Sequence, residues 1–303
     1  MDSKRAKRTE PIAVDDGAPP AADVGRVDLV VHDGVATVWL NNPSALNAFT
    51  TDMVDQFLGV LDAIDSDDAI RVAVVTGHGR GFCSGADLSM GADSFARDSD
   101  ESADGWPPPD RAGTISLRMM QCRKPLIAAI NGPAVGFGAS LTLPMDVRLA
   151  GVHARAGFPF VRRGIVPDGA SSWFLPRIVG ISRAAEWMIT GKLYSVDELL
   201  DARFVRSVHP VGQLLPAAHA LANEFVEQSA PVSVAVTRQL LWQMYGASGP
   251  LDAHRIESEA LARLGSSPDA REGVQAFLER RPARFSMSAT RDFPDVFRAL
   301  QAT

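Results

Sequence analysis

Two glycine-rich stretches and one Pro-Asp-Gly triplet hold the residue types on which chemistry can be built. The first stretch is Gly77-His78-Gly79-Arg80-Gly81-Phe82-Cys83-Ser84-Gly85-Ala86-Asp87, directly after the apolar run Val72–Val75. The second is Asn131-Gly132-Pro133-Ala134-Val135-Gly136-Phe137-Gly138-Ala139-Ser140, between a strand-like run and a helix-like one. A dinucleotide fingerprint needs Gly-x-Gly-x-x-Gly opening into a helix. The glycines at 77, 79 and 81 are spaced two apart, so that reading fails, and with it a nicotinamide oxidoreductase. A turn at a helix start presents free backbone N–H groups. Two such turns at neighbouring strand ends can aim two donors at one developing oxyanion. Spacing alone leaves this open against two ordinary tight turns. Pro167-Asp168-Gly169 is likewise open: a turn by composition, or a carboxylate base. The histidines at 32, 78, 153, 209, 219 and 254 share no metal-ligand spacing, so no metal is expected.

The elements that would position these groups alternate between strand and helix. Val27, Leu29 and Val31 alternate, Asp33-Gly34 marks a hairpin turn, and Val35–Leu40 is strand-like again. Thr50 or Thr51 can cap a helix carrying Met53, Val54, Phe57, Leu58, Leu61 and Ile64 at helical spacing. Arg71–Thr76 and Leu126–Ile130 read as buried strands, Ala139–Met145 as a helix and Val147–Ala150 as a short strand. Strand, helix, strand implies a right-handed crossover and a parallel sheet. Helical patterns fill the C-terminal part: one opened by Ser195–Glu198, then Val211–Ser229, Val232–Tyr245, Leu251–Leu264 and Pro268–Arg280. The expected organisation is an α/β core over 26–195, a helical region over 196–303, and a disordered tail over 1–25 with little to bury. Ser89–Gly113, rich in Asp, Ser, Gly and Pro, reads as a long loop, either a surface insertion or a functional segment that could close over a pocket with Met90, Phe95 and Trp106. Its acidic residues, Asp110 among them, read as solvated charge.

Composition narrows the class. The 303 residues are 46% hydrophobic and 22% charged, which is globular usage, and the 2 cysteines exclude a disulfide framework and suit the cytoplasm. No apolar run reaches the roughly 18 residues of a membrane span. The net charge of −6 and the lack of a basic stripe argue against nucleic acid.

Six stretches in order resemble the crotonase superfamily, which includes enoyl-CoA hydratases and isomerases. They are Asn42–Ala48, Gly81–Leu88, Lys124–Gly138, Gly164–Gly169, Leu175–Gly180 and Arg271–Arg281, covering the chain from about Arg26 to about Phe285. The resemblance implies a spiral of ββα turns with a helical C-terminal trimerisation region, a homotrimer or dimer of trimers, and an acyl-coenzyme A thioester substrate. It implies no cofactor beyond the coenzyme A of the substrate. It carries an oxyanion hole onto the N–H groups of Ala86 and Phe137. It carries coenzyme A contacts onto Ala45, Ala48, Ser84, Ala86, Asp87 and Leu88, and an acyl pocket onto Ser140, Phe160 and Trp173, with Phe137 and Phe158 nearby. Many relatives have a basic residue where Ser44 stands; Arg280 and Arg281 are candidates for the phosphates in its place.

Hydratases of this family use two glutamates, and the matching positions are Ser140 and Phe160, neither of which can activate water. Asp168 matches an aspartate found in several relatives with isomerase, synthase or dehalogenase activity. The resemblance therefore implies an enoyl-CoA isomerase with Asp168 as base. Two other readings stand beside it: an enoyl-CoA hydratase, and a non-catalytic acyl-CoA-binding protein that has lost both glutamates.

Overall fold

The computed structural model describes residues 18–22, 24–95 and 108–297. Two antiparallel strands open it, β1 (Arg26–His32) and β2 (Val35–Asn41). Their turn places Asp33 at φ 48° and Gly34 at φ 81°, the left-handed pair that a two-residue hairpin needs. Helix α1 (Thr51–Ser66) follows, its first turn capped by the Thr50 hydroxyl, which accepts from the Met53 N–H at 3.2 Å. Strand β3 (Val72–Gly77) pairs parallel with β2, as the strand–helix–strand pattern requires. Helix α2 (Arg111–Gln121) leads into β4 (Leu126–Ile130), then β5 (Pro133–Val135), the single turn α3 (Phe137–Ser140), β6 (Val147–Gly151) and β7 (Arg155–Gly157). Helices α4 (Ser171–Val179) and α5 (Ile181–Thr190), strand β8 (Leu193–Ser195), helix α6 (Val196–Asp201) and strand β9 (Ser207–His209) come next. Four helices finish the chain: α7 (Leu214–Glu227), α8 (Pro231–Met244), α9 (Pro250–Leu264) and α10 (Pro268–Glu279).

The main sheet runs β1-β2-β3-β4-β6-β9, parallel except for β1, and β5-β7-β8 form a smaller one. Its central strands are buried on both faces, so they read as apolar runs rather than alternating ones. Val72, Val74, Ile127 and Ala129 pack under Leu214, Ala218 and Leu221 of α7. On the other face Ala73, Val75, Leu126 and Ala128 join Met53, Phe57 and Leu61 of α1 and Ile115 and Met119 of α2. This is the mixed α/β architecture expected. A satellite cluster of Val232, Val236, Ile256, Val296 and Phe297 holds the C-terminal helices together.

Four expectations are corrected. The helix over Ala139–Met145 stops at Ser140: Pro144 cannot donate to a fourth-previous carbonyl, and Leu143 and Met145 bond three residues back instead. Arg148 donates to the carbonyls of Thr142 and Met145 at the end of this turn, at 3.2 and 2.8 Å. The loop from Ser89 ends earlier than Gly113, because Asp110 caps α2. Strand β9 lies inside the stretch read as purely helical and extends the core sheet. Finally, part of the stretch read as a tail is tied down: Ala22 N–H donates to Asn41 Oδ1 at 3.0 Å, and Asn41 Nδ2 donates to the Pro20 carbonyl at 2.9 Å. The other tail residues, 1–17 and 23, lie outside the described residues, as does Trp106. Among the described residues, no helix is long and apolar enough to cross a membrane.

One buried charge stitches the C-terminal helices to this core. Arg238 on α8, 4% exposed, donates to the Asp146 carboxylate at 2.8 Å and to the carbonyls of Met119, Met120 and Cys122. Asp146 also accepts from the Leu126 N–H and from the Trp242 indole, both at 2.7 Å. Removing the cation leaves a carboxylate and several carbonyls short of a donor. Arg238→Leu is expected to cost about 3–5 kcal/mol, read as a lowered urea midpoint with an unchanged slope.

Candidate active site

The first glycine-rich turn is shaped by two asparagine side chains. Asn131 Nδ2 donates to the Gly77 and Gly79 carbonyls, both at 2.9 Å, and its Oδ1 accepts from Gly77 N–H at 3.1 Å. Asn47, fully buried, donates to the His78 and Gly81 carbonyls at 2.9 and 2.8 Å and accepts from Asn42 N–H at 2.8 Å. The turn's backbone polar groups are thus satisfied without a helix or sheet to receive them.

The two turns then join backbone to backbone. Phe82 and Cys83 N–H both donate to the Pro133 carbonyl at 3.1 Å, and Val135 N–H donates to the Cys83 carbonyl at 2.9 Å. Glycine makes this approach possible. Gly85 sits at φ 111°, and a Cβ there would lie 2.9 Å from the Val135 carbonyl oxygen. A Cβ on Gly138 would lie 2.1 Å from the Cys83 carbonyl oxygen.

Ala86 faces Phe49 in a parallel bridge in which Phe49 N–H donates to the Gly85 carbonyl at 2.8 Å and Asp87 N–H donates to the Phe49 carbonyl at 2.9 Å. That pattern uses the groups on either side of Ala86 and turns its own N–H away from Phe49. Phe137 heads α3, where an N–H has no acceptor within the helix. Its ring is 4% exposed and packs edge-on against Phe49 at 5.0 Å. Ala86 and Phe137 both line an open cleft.

The rest of that cleft is mostly apolar, with Leu88, Phe95, Phe160 and Ile165 on its walls. Asp168 is the one carboxylate and Arg163 the one cation lining it among the described residues. Asp168 belongs to a tight turn entering α4: its carbonyl accepts from the Ser171 hydroxyl and N–H at 2.6 and 3.0 Å. Under the turn lies Cys83, wholly buried. Burial pushes its thiol up to about 12, and the negative charge of Asp168 acts in the same direction.

The sequence-derived site residues distribute unevenly. Ala86, Phe137, Ser84, Leu88, Phe160 and Asp168 meet at the cleft. Ala45 does not line the cleft; its carbonyl accepts from the Ser84 hydroxyl at 2.8 Å. Ala48 is buried behind, its carbonyl accepting from Asn42 Nδ2 at 3.0 Å, and Asp87 turns its carboxylate to Ser89 N–H and Oγ at 3.0 and 2.8 Å. Ser140 is fully buried and does not line the cleft. Phe158 lies in the core. Trp173 does not line the cleft either: it packs edge-on to Tyr245 at 5.6 Å with the Arg177 guanidinium 4.1 Å from its ring centre. Its helical position turns it towards α8. Arg281 is committed within the chain, to Glu272 at 2.6 and 3.0 Å and to Glu279 at 2.6 Å, and it holds the Glu272 carboxyl down at about 2. Among the described residues no group of His, Cys, Asp and Glu is placed to hold a metal.

Sequence reasoning missed Asn47 and Asn131 as organisers of the first turn, and Arg163 at the cleft. It also read Asp110 as solvated charge, whereas its carboxylate accepts from Gly113 N–H at 2.6 Å and Gly169 N–H at 3.4 Å. An aspartate three residues before a glycine, ahead of an amphipathic run, was the available signal for that cap.

Comparison with known proteins adds an independent line. A family model described as Enoyl-CoA hydratase/isomerase matches residues 31–288. The chain is 41% identical to the enoyl-CoA hydratase ACTT3 of Alternaria alternata, over 86% of each chain. It is 31% identical to 1,2-epoxyphenylacetyl-CoA isomerase of Escherichia coli, covering 84% of this chain and 96% of that one. Among solved structures, a probable enoyl-CoA hydratase/isomerase from Mycobacterium abscessus superposes with a TM-score of 0.77 at 36% identity, covering 87% of this chain and 99% of that one.

A methyl group at Gly138 must push the Cys83 carbonyl away and so part the two turns. Gly138→Ala is expected to cost about 1–3 kcal/mol by overpacking. Calorimetry should show that loss together with weakened acyl-CoA binding by titration.

Proposed function

The chain belongs to the enoyl-CoA hydratase/isomerase family, and on that premise we propose that it is an isomerase that moves a double bond in an enoyl-CoA thioester from C3–C4 to C2–C3. The observation that carries this reading is Asp168, the one carboxylate that lines the cleft among the described residues, set among mostly apolar walls. Asp168 takes a proton from C2, and the electron pair spreads into the thioester carbonyl. The N–H groups of Ala86 and Phe137 hold the resulting oxyanion, each worth about 3 kcal/mol in the transition state. The same carboxyl then delivers its proton to C4 as the electrons return, so atoms and charge balance and no water is consumed. Ser140 and Phe160 offer no second carboxylate to activate water.

The reaction needs no cofactor, since coenzyme A arrives as part of the substrate. Ala45, Ser84, Ala86 and Asp87 form the strip of backbone along which its pantetheine would run, with Leu88 at the entrance to the acyl pocket. Phe137 and Phe160 supply the pocket wall. We assign the assembly as a homotrimer or dimer of trimers.

A second reading, hydration of a 2-enoyl-CoA, is favoured by the names of relatives, among them the Alternaria alternata protein and a short-chain-enoyl-CoA hydratase of Clostridium acetobutylicum at 31% identity. A thioester panel separates the two, because only hydration gives a 3-hydroxyacyl product.

Asp168→Asn keeps the shape of the carboxyl and removes the proton acceptor. Isomerisation should fall by about 10²–10⁴-fold, with coenzyme A binding retained and C2 exchange in deuterated water lost in parallel. Retained exchange would show that another group takes the proton. Light scattering at micromolar concentration should give three or six chains per particle; a monomer would count against the assembly.

A further inference from the structure

Asp110 sits at a junction that neither α2 nor the cleft requires by itself. A helix cap needs one bond, and the Asp110 carboxylate makes it to Gly113 N–H at 2.6 Å. The same oxygen, Oδ1, also faces Gly169 N–H at 3.4 Å. That N–H belongs to the peptide joining Asp168 to Gly169, so the bond bears on the plane from which the Asp168 side chain departs. The surroundings leave little room for another arrangement. A Cβ on Gly113 would lie 2.5 Å from Asp110 Oδ2, so a side chain there would make the carboxylate shift from this arrangement. Gly169, buried at φ 62°, presses on its neighbours: a Cβ there would meet Ser140 Cβ at 3.2 Å and Ser116 Oγ at 3.3 Å. The Asp168 turn is therefore wedged between α2 and α3, and Asp110 is the side chain that ties it to α2.

We propose that Asp110 is a positioning residue for the Asp168 carboxylate, fixing the 168–169 peptide against the start of α2. The kinetic part of this proposal rests on Asp168 acting as the base; the structural part does not. Asp110 does not line the cleft. It acts by removing the freedom of the turn that carries the base, and a displacement near 1 Å of a reacting group costs on the order of 10²-fold in rate.

Two variants of the full-length protein separate positioning from helix capping. Serine is as good an N-cap as aspartate but is too short to serve Gly113 and Gly169 together, whereas asparagine keeps an Oδ1 that serves both. Asp110→Ser should keep the melting temperature and KM near wild type and lower kcat by about 10–100-fold, and Asp110→Asn should restore kcat to within about threefold. Amide hydrogen exchange supplies a readout independent of turnover. In Asp110→Ser the Gly169 amide should exchange at least tenfold faster (~1.4 kcal/mol per factor of ten), while the amides from Thr114 to Gln121 keep their protection. An unchanged Gly169 amide, or equal loosening of α2, overturns the proposal, as does a kcat that falls only in step with the melting temperature. If Asp168→Asn retains C2 exchange, the base assignment fails, and the amide pattern alone decides the role of Asp110.

Discussion

Everything at the cleft depends on two chain reversals meeting backbone against backbone. Regular secondary structure supplies only a minimal ladder there, the parallel bridge between Cys83 and Ala134 of β5. Three short main-chain hydrogen bonds, among Phe82, Cys83, Pro133 and Val135, hold it, and positions without side chains allow it. The cost of leaving turn carbonyls unsatisfied is met by Asn47 and Asn131, whose amides reach four of them. A buried asparagine of this kind is more than a filler of polar demand. It fixes the course of the turn that leads to Ala86, and in the proposed reaction the oxyanion site would depend on that direction rather than on side-chain chemistry.

Around this contact the fold is pinned at a second level by α2. Its C-terminal carbonyls, Met119 and Met120, are taken by the Arg238 guanidinium, which also grips Asp146 next to β6. Its N-terminus is capped by the carboxylate that faces Gly169. A helix held at both ends cannot slide along its axis, so the residues that lean on it inherit its rigidity. The C-terminal helices thus reach the cleft through a chain of polar contacts as well as through apolar packing.

How much of this was legible in the sequence follows from the range of the interactions. The Asp33-Gly34 hairpin and the Thr50 cap were readable because their chemistry is complete within four residues. The buried strands were readable because burial on both faces leaves an uninterrupted apolar run. Strands β8 and β9 were not, since three residues carry no periodicity. The end of α3 could have been read from Pro144, and the start of α2 from Asp110, had that aspartate not stood in a run of other acidic and small residues. Trp173 shows the deeper limit. An aromatic residue near a suspected site is equally suited to a pocket wall and to a helix interface, and its neighbours Tyr245 and Arg177, one of them far along the chain, decide which.

The thiol of Cys83 lies at the contact of the two turns, an awkward place for a nucleophile. A conjugated 2-enoyl thioester is an electrophile at C3, open to attack by any thiolate that meets it. Burial and the Asp168 charge keep Cys83 protonated up to about 12, so at neutral pH almost none of it is in the reactive form. The same close packing of the two turns thereby keeps this thiol from reacting with an electrophile brought to the cleft.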